Sequence, residues 1–176
     1  MPDDEIVAVY DERGHVVGEA PRTEVYERGL WHASAGVLVR STDGSRVYVH
    51  RRTTTKSVFA GMHDVLAGGV VDAGEDPRQT ASRELAEELG VVADVTGDPV
   101  VGRWTGRSGA ATVRCHLFAY EVRHDGPMHH QPSEIADGWW WSDVEVLTHL
   151  DDPAWPFVPD TRVIVSALLQ VGGQRY

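Results

Sequence analysis

Three glutamates, Glu84, Glu87 and Glu88, stand at i, i+3 and i+4 in the run RELAEELG. On a helix that spacing gathers three carboxylates on one face within a turn. Like charges so close repel one another, and no basic residue follows one turn on to relieve Glu87 or Glu88. A hard divalent cation would remove the repulsion, because Mg2+ prefers oxygen ligands; the alternative is a solvated acidic face. Helix signals bracket the run. Asp76 is an N-cap residue, Pro77 sits at the first helical position, and Gln79 completes a capping box. Gly90 is a C′ residue that ends the helix, and Ala81, Leu85 and Leu89 form the apolar stripe that pins it to a core.

The wider stretch from Gly69 to Val91 reads GVVDAGEDPRQTASRELAEELGV. It has a glycine, Glu75 after five residues, Arg83-Glu84 after seven more, then Glu87-Glu88, Gly90 and an apolar residue. This is the pattern G-x5-E-x7-R-E-U-x-E-E-x-G-U, with U apolar, and on it the sequence resembles the Nudix hydrolase superfamily. The resemblance implies an α/β fold, the Nudix α/β/α sandwich with a mixed sheet, in which the box helix lies against the sheet. It also implies cleavage of a diphosphate joined to some group X by metal-assisted attack of water. The transition state of such a reaction is densely negative, so catalysis rests on positioning and charge neutralisation. Carried over by position, Glu84, Glu87, Glu88 and a backbone carbonyl of the Gly68–Gly69 pair, assigned to Gly69, would bind Mg2+ or Mn2+. Arg83 and Glu75 would pair across the loop and hold those glutamates. Glu84 is one candidate general base, and Glu134, opening the EIADG run, is the other.

A second likeness extends beyond the box. The pattern RR-x3-K-x4-G (Arg51, Arg52, Lys56, Gly61), the lead-in DEIVAVYDERG and the tail PAWPFVPD are similar to the branch that includes isopentenyl-diphosphate isomerase. In that branch the second arginine and the lysine grip the diphosphate, which makes Arg52 and Lys56 the substrate-binding candidates. Lys56 is the only lysine in the chain. Period two at a strand end sends one of Arg51 and Arg52 inward, and Arg52 is expected to face the site. Isomerisation itself needs a cysteine and a glutamate across the substrate double bond. Ala67 stands where that cysteine would fall, Val113 and Arg114 where the glutamate would, and Gly69 replaces a metal histidine. The expectation is therefore hydrolysis of a nucleoside- or isoprenoid-type diphosphate on an isomerase-like scaffold. The alternatives are an isomerase-like enzyme and a non-catalytic nucleotide sensor; sensors commonly lose a box glutamate, and none is lost here.

Composition narrows the partners. A net charge of −11, from 27 acidic and 16 basic residues, argues against tracking nucleic acid or an anionic membrane, since both need a basic face. The partner expected is a small-molecule diphosphate, and a homodimer is left open. Residues 1–176, 41% of them apolar, read as one domain with the box at 69–91. Cys115 is alone and cannot form an internal disulfide. The acidic N-terminus lacks an apolar signal segment, and no apolar run approaches the roughly 20 residues of a membrane helix. A cytoplasmic location is expected.

The elements that must position these residues read as follows. Strands are expected over Glu5–Tyr10 and His15–Gly18, a short polar helix or turn over Thr23–Arg28, and strands over His32–Arg40 and Arg46–Arg51. His32 reads as a hydrogen-bonded structural histidine. Residues 53–63 read as loop, Asp64–Val71 as one strand entering the box, and Val91–Gly102 as a strand and connection. Gly106–Ala110 reads as a mobile turn. Thr112–Val122 is a strong strand with Val113, Cys115, Leu117 and Ala119 on one face, Cys115 as a small core residue. His124, His129 and His130 fall in a loop. Glu134–Ser142 leads into a last strand with Trp140 on one face and Trp139 and Trp141 on the other. Asp143–His149 is helical, and Asp160–Val171 reads as one closing helix with Val163 and Leu168 inward. Trp104, Trp139 and Trp141 offer surfaces on which X could stack.

Overall fold

The computed structural model describes residues 5–173. The chain opens with β1 (Ile6–Tyr10), β2 (Val16–Pro21) and α1 (Arg22–Arg28). It continues through β3 (Trp31–Arg40), β4 (Val47–Arg52), β5 (His63–Asp64) and β6 (Leu66–Val70) to α2 (Pro77–Leu89). Then follow β7 (Val100–Ser108), β8 (Ala111–Arg123), β9 (Ile135–Trp141), α3 (Asp143–Leu150), α4 (Pro159–Arg162) and α5 (Val165–Gly173).

Among the described residues the strands join in one mixed nine-stranded sheet, and β3 is its hub. It runs parallel to β8 over its whole length, from Trp31 opposite Arg114 to Arg40 opposite Arg123. Its other edge takes β6 antiparallel, with Ala35 opposite Gly69 and Gly36 opposite Gly68. Strand β4 leaves the end of β3 and pairs with β9. Such a strand must be apolar on both faces, and WHASAGVLVR supplies that. Ala33, Ala35, Val37 and Val39 join one core with Ala81, Leu85 and Leu89 of α2. Leu38 joins the opposite core with Val113, Cys115 and Leu117 of β8, Val146 of α3, and Ile164, Val165, Leu168 and Leu169 near the C-terminus. Helices therefore cover both faces of the sheet, the expected α/β/α sandwich. No helix among the described residues is long and apolar enough to cross a membrane.

Several expected elements differ. The 64–71 strand is two strands: β5 pairs with β4 and β6 with β3, with the break at Val65. Strand β7 takes the first three residues of the expected Gly106–Ala110 turn, ending at Ser108, and Gly109 and Ala110 make the turn of its hairpin with β8. Its glycines disguise it, yet each makes room for a neighbour. A Cβ on Gly102 would lie 2.1 Å from Ile164 Cγ2, and one on Gly106 2.3 Å from the Trp104 indole. The closing helix is broken between α4 and α5, which resets the helical phase. Val163 at the break is 53% exposed while Ile164, Val165, Leu168 and Leu169 are buried, so Val163 does not face inward. Trp140 does oppose Trp139 and Trp141: it meets Tyr48 edge-on, whereas the other two stack 6.1 Å apart.

Candidate active site

Helix α2 carries the box glutamates and is fixed at both ends by its own sequence. The Asp76 carboxylate accepts the Gln79 backbone N–H at 3.0 Å, and the Gln79 side chain accepts the Asp76 N–H at 2.9 Å. At the other end Gly90 adopts φ 66°, a left-handed conformation, and its N–H returns to Ala86 and Leu85 carbonyls. Arg78 adds an unforeseen tether: its guanidinium donates to the Val95 and Gly97 carbonyls, each at 2.7 Å, and lies over Tyr120.

One turn before Glu87, Arg83 spreads over four carboxylates. Nε and Nη2 donate to the two oxygens of Glu75 at 3.1 and 3.0 Å, and Nη2 also reaches Asp72 at 3.0 Å. Nη1 meets Glu84 at 2.8 Å and Glu87 at 3.5 Å. Relief of Glu87 thus comes from the N-terminal side, which the absence of a following base had hidden. Thr80 donates to Glu75 as well, and the bonds from Arg83 first, then Thr80, hold Glu75 below the usual carboxylate range.

The Glu84 carboxylate lies against bare backbone: a Cβ on Gly69 would be 2.6 Å from its Oε1. Any side chain at 69 would displace it. Glu88 is 3% exposed, and its Oε2 accepts the Gly68 N–H at 3.1 Å. Burial first, then the charge of Glu84, keeps Glu88 well above the usual range, and burial also raises Glu84. Two carboxylates are thus held side by side, largely out of water, against the side-chain-free backbone of Gly68 and Gly69. Among the described residues no three such groups already converge tightly enough to hold an ion, because Glu84 is turned to Arg83 and Glu87 is half exposed. The donor set, oxygens only and carrying excess negative charge, is one that a hard cation takes.

A cavity of about 530 Å3 opens beside these groups. It brings together Gly69, Arg83, Glu84, Glu87, Glu88, Arg52, Lys56 and Glu134, but not Glu75, which stands behind Arg83. Arg52 lines it and Arg51 does not. Arg52 Nη2 donates to the Val58 carbonyl at 3.0 Å, while its Nε is buried without a partner. Lys56 is in a close ion pair with Glu134. The loop carrying Lys56 is tied to the turn before β9 by Thr53, whose N–H donates to the Glu134 carbonyl at 3.0 Å.

The cavity also has residues that sequence reasoning missed. Asp64 and Asp160, only 6% and 7% exposed, line it together with Thr161, Tyr26 and Arg22. Burial first, then the charge of Asp64, pushes Asp160 up to about 7, and burial raises Asp64 too. His32 is 1% exposed and pulled down to about 4 by burial. Its Nδ1 lies 3.4 Å from the Leu30 carbonyl, as a structural histidine's would, but the ring is also part of the cavity wall. The only local hint is one-sided: the apolar VLA follows Asp64 and PFVP precedes Asp160, which does not reveal that the two acids meet. The tryptophans offered as stacking surfaces are elsewhere. Trp104 packs on Phe59, Trp139 and Trp141 stack with His63 and His149 respectively, and none lines the cavity.

With the geometry established, comparison with known proteins is direct. The NUDIX domain family matches residues 30–162. The uncharacterized Nudix hydrolase orf19 of Rhodococcus erythropolis is 59% identical over 171 residues, spanning 94% of this chain and 92% of that protein. An uncharacterized Nudix hydrolase of Streptomyces coelicolor is 39% identical over 157 residues, covering 89% and 84% of the two chains. In fold, the chain superposes on DR0079 from Deinococcus radiodurans with a TM-score of 0.69 at 23% identity, covering 93% of this chain and 98% of that one. A complete box on a helix laid against this sheet, and relatives this similar over nearly their whole length, place the chain in the Nudix hydrolase family.

Proposed function

We propose that the protein is a cytoplasmic single-domain enzyme that hydrolyses the diphosphate linkage of a small nucleoside- or isoprenoid-type diphosphate, with Mg2+ or Mn2+. One observation carries this reading: three box glutamates and Gly69 share a cavity with the cations Arg52 and Lys56. An anionic substrate can enter so acidic a molecule only where positive charge waits for it.

Glu84, Glu87, Glu88 and the Gly69 carbonyl would hold the metal ion, which supplies charge neutralisation and lowers the pKa of water at the phosphorus. Buried beside the charge of Glu84, the Glu88 carboxyl is held above the usual range, and a cation bound there would ease it. Arg83, braced by Glu75, fixes where Glu84 and Glu87 point, and so positions without touching substrate. Arg52 and Lys56 bind the diphosphate oxygens; phosphate then competes with Glu134 for the Lys56 ammonium. Glu84 and Glu134 are the two candidates to accept the water proton; each starts in an ion pair, Glu84 with Arg83 and Glu134 with Lys56.

The isomerase alternative lacks its thiol. Position 67 is a fully buried alanine, and Cys115 is inaccessible, its thiol pushed up by burial. Product analysis over a panel of nucleoside and isoprenoid diphosphates tests the proposal. Phosphomonoester release with Mg2+ or Mn2+, abolished by EDTA, is expected. A folded protein that cleaves none of them, or that turns isopentenyl into dimethylallyl diphosphate, overturns it.

A further inference from the structure

We propose that Thr80 is a positioning residue for the metal-binding glutamates, acting on them through Glu75 and Arg83. This role rests on the metal reading above, and it falls to a residue that the box pattern leaves unspecified, between Glu75 and Arg83.

Thr80 is 0% exposed and precedes Ala81, which packs in the core beneath α2. A hydroxyl so buried is costly unless it is bonded, and a helical threonine ordinarily bonds the carbonyl three or four residues back. Four back, the Asp76 carbonyl takes the Thr80 backbone N–H at 3.2 Å. The hydroxyl turns to Glu75 instead, donating to its Oε2 at 2.7 Å. A charged acceptor makes that the stronger bond, and the branched Cβ leaves the hydroxyl little freedom to abandon it. Glu75 itself stands before the N-cap, in the loop between β6 and α2. Thr80 thus ties a loop carboxylate to a rigid, core-packed turn of helix.

Arg83 lies one turn further along that helix, and its two edges have different partners. Nε and Nη2 donate to Glu75 at 3.1 and 3.0 Å, while Nη1 holds Glu84 at 2.8 Å and Glu87 at 3.5 Å. To hold a cation, Glu84 and Glu87 must turn away from Nη1. The guanidinium is drawn after them unless its other edge is anchored. Asp72 meets Nη2 alone, at 3.0 Å, and does not span that edge. Glu75 does span it, and Thr80 fixes the same Oε2 that Nη2 uses. Arg83 therefore stays back while the glutamates swing to the metal.

Two variants of the full chain test this. Thr80→Val keeps the shape of the side chain and removes its donor, whereas Thr80→Ser keeps the donor. In EDTA, the Arg83 Nε–H of Thr80→Val should exchange with water at least about fivefold faster than in the unaltered chain, read from the 15N-coupled arginine signal that Arg83→Lys lacks. In calorimetry with Mn2+ alone, Thr80→Val should bind roughly tenfold more weakly. Thr80→Ser should stay within about threefold of the unaltered chain in both measurements. Unchanged exchange in Thr80→Val, or a Thr80→Ser as impaired as Thr80→Val, overturns the role of Thr80. So does faster exchange with Mn2+ affinity held within about twofold, since Arg83 would then loosen without effect on the ligands. If Thr80→Val does not fold, Thr80→Ala is read in its place. Failure of both to fold also overturns the role, because the hydroxyl would then serve the fold and not the site. An unaltered chain that binds no Mn2+ sinks the metal reading itself; one that binds it equally well with and without the Thr80 hydroxyl sinks only the role of Thr80.

Discussion

Glu88 carries a carboxylate into a site where, among the described residues, its side chain accepts one hydrogen bond, from the neutral backbone N–H of Gly68. Replacing it by glutamine keeps the shape and that bond while removing the charge. Turnover of Glu88→Gln should fall at least about a hundredfold, because charge neutralisation at the phosphorus is lost. In EDTA the same variant should melt a few degrees higher than the parent, since no charge then has to be buried beside Glu84. Parental turnover at saturating Mg2+ would falsify the role assigned to Glu88. Arg83 invites a different test. A lysine there keeps the charge but cannot fork across Glu75, Asp72, Glu84 and Glu87 together. Arg83→Lys should lower kcat by about tenfold or more with KM within about twofold, as befits a residue that positions others; a KM effect alone would place Arg83 on the substrate instead. At this scale the box was legible because its spacing converts directly into one helix face. Asp64, Asp160 and His32 were not, because three distant segments meet to form that wall and no local period marks it.

Helix α2 is held by a short apolar stripe: Ala81, Leu85 and Leu89 are buried against Ala33, Ala35 and Val37 of β3. Leu85→Ala should cost about 2–5 kcal/mol in urea unfolding, the range for emptying a packed leucine site. Asp76→Ala should cost only about 1 kcal/mol, for one lost cap. A loss for Asp76→Ala as large as for Leu85→Ala would mean that the cap, not the stripe, holds the helix. The caps of α2 were readable from Asp76, Pro77, Gln79 and Gly90 because capping is local chemistry. Strand β7 was not, since Gly102 and Gly106 read as turn residues until Ile164 and Trp104 are seen filling the space above them. The break between α4 and α5 was hidden for a similar reason. The apolar run from Val163 to Leu169 suits an unbroken helix, and only packing against the sheet selects which residues turn inward.

Across the whole molecule, buried titratable groups pull the pH profile of stability in opposite directions. His32 and His50, brought down to about 4 and about 3 by burial, stay neutral while their unfolded counterparts near pH ~6.5 take protons. Stability from this source falls as pH falls below ~6.5. Asp160 acts in the other sense. Pushed up to about 7, it holds a proton that the unfolded carboxyl, near ~3.9, has lost, so stability falls as pH rises between those values. Asp160→Asn should therefore be more stable than the parent at pH 7.5, by up to a few kcal/mol, and the gain should vanish near pH 4. Denaturant titrations at the two pH values check this, and a gain independent of pH would sink it. The order in which the parts come together has its own consequence. Strand β3 finds its full-length parallel partner only at residues 114–123, and Asp160 and Thr161 arrive later still. Pairings so remote in sequence form slowly, and during synthesis the box helix exists well before the far wall of the cavity. Asp160 and Thr161 rest on α4, a four-residue helix beyond the last strand, so local opening there uncovers the far end of the cavity while α2, capped at both ends, keeps its glutamates in place.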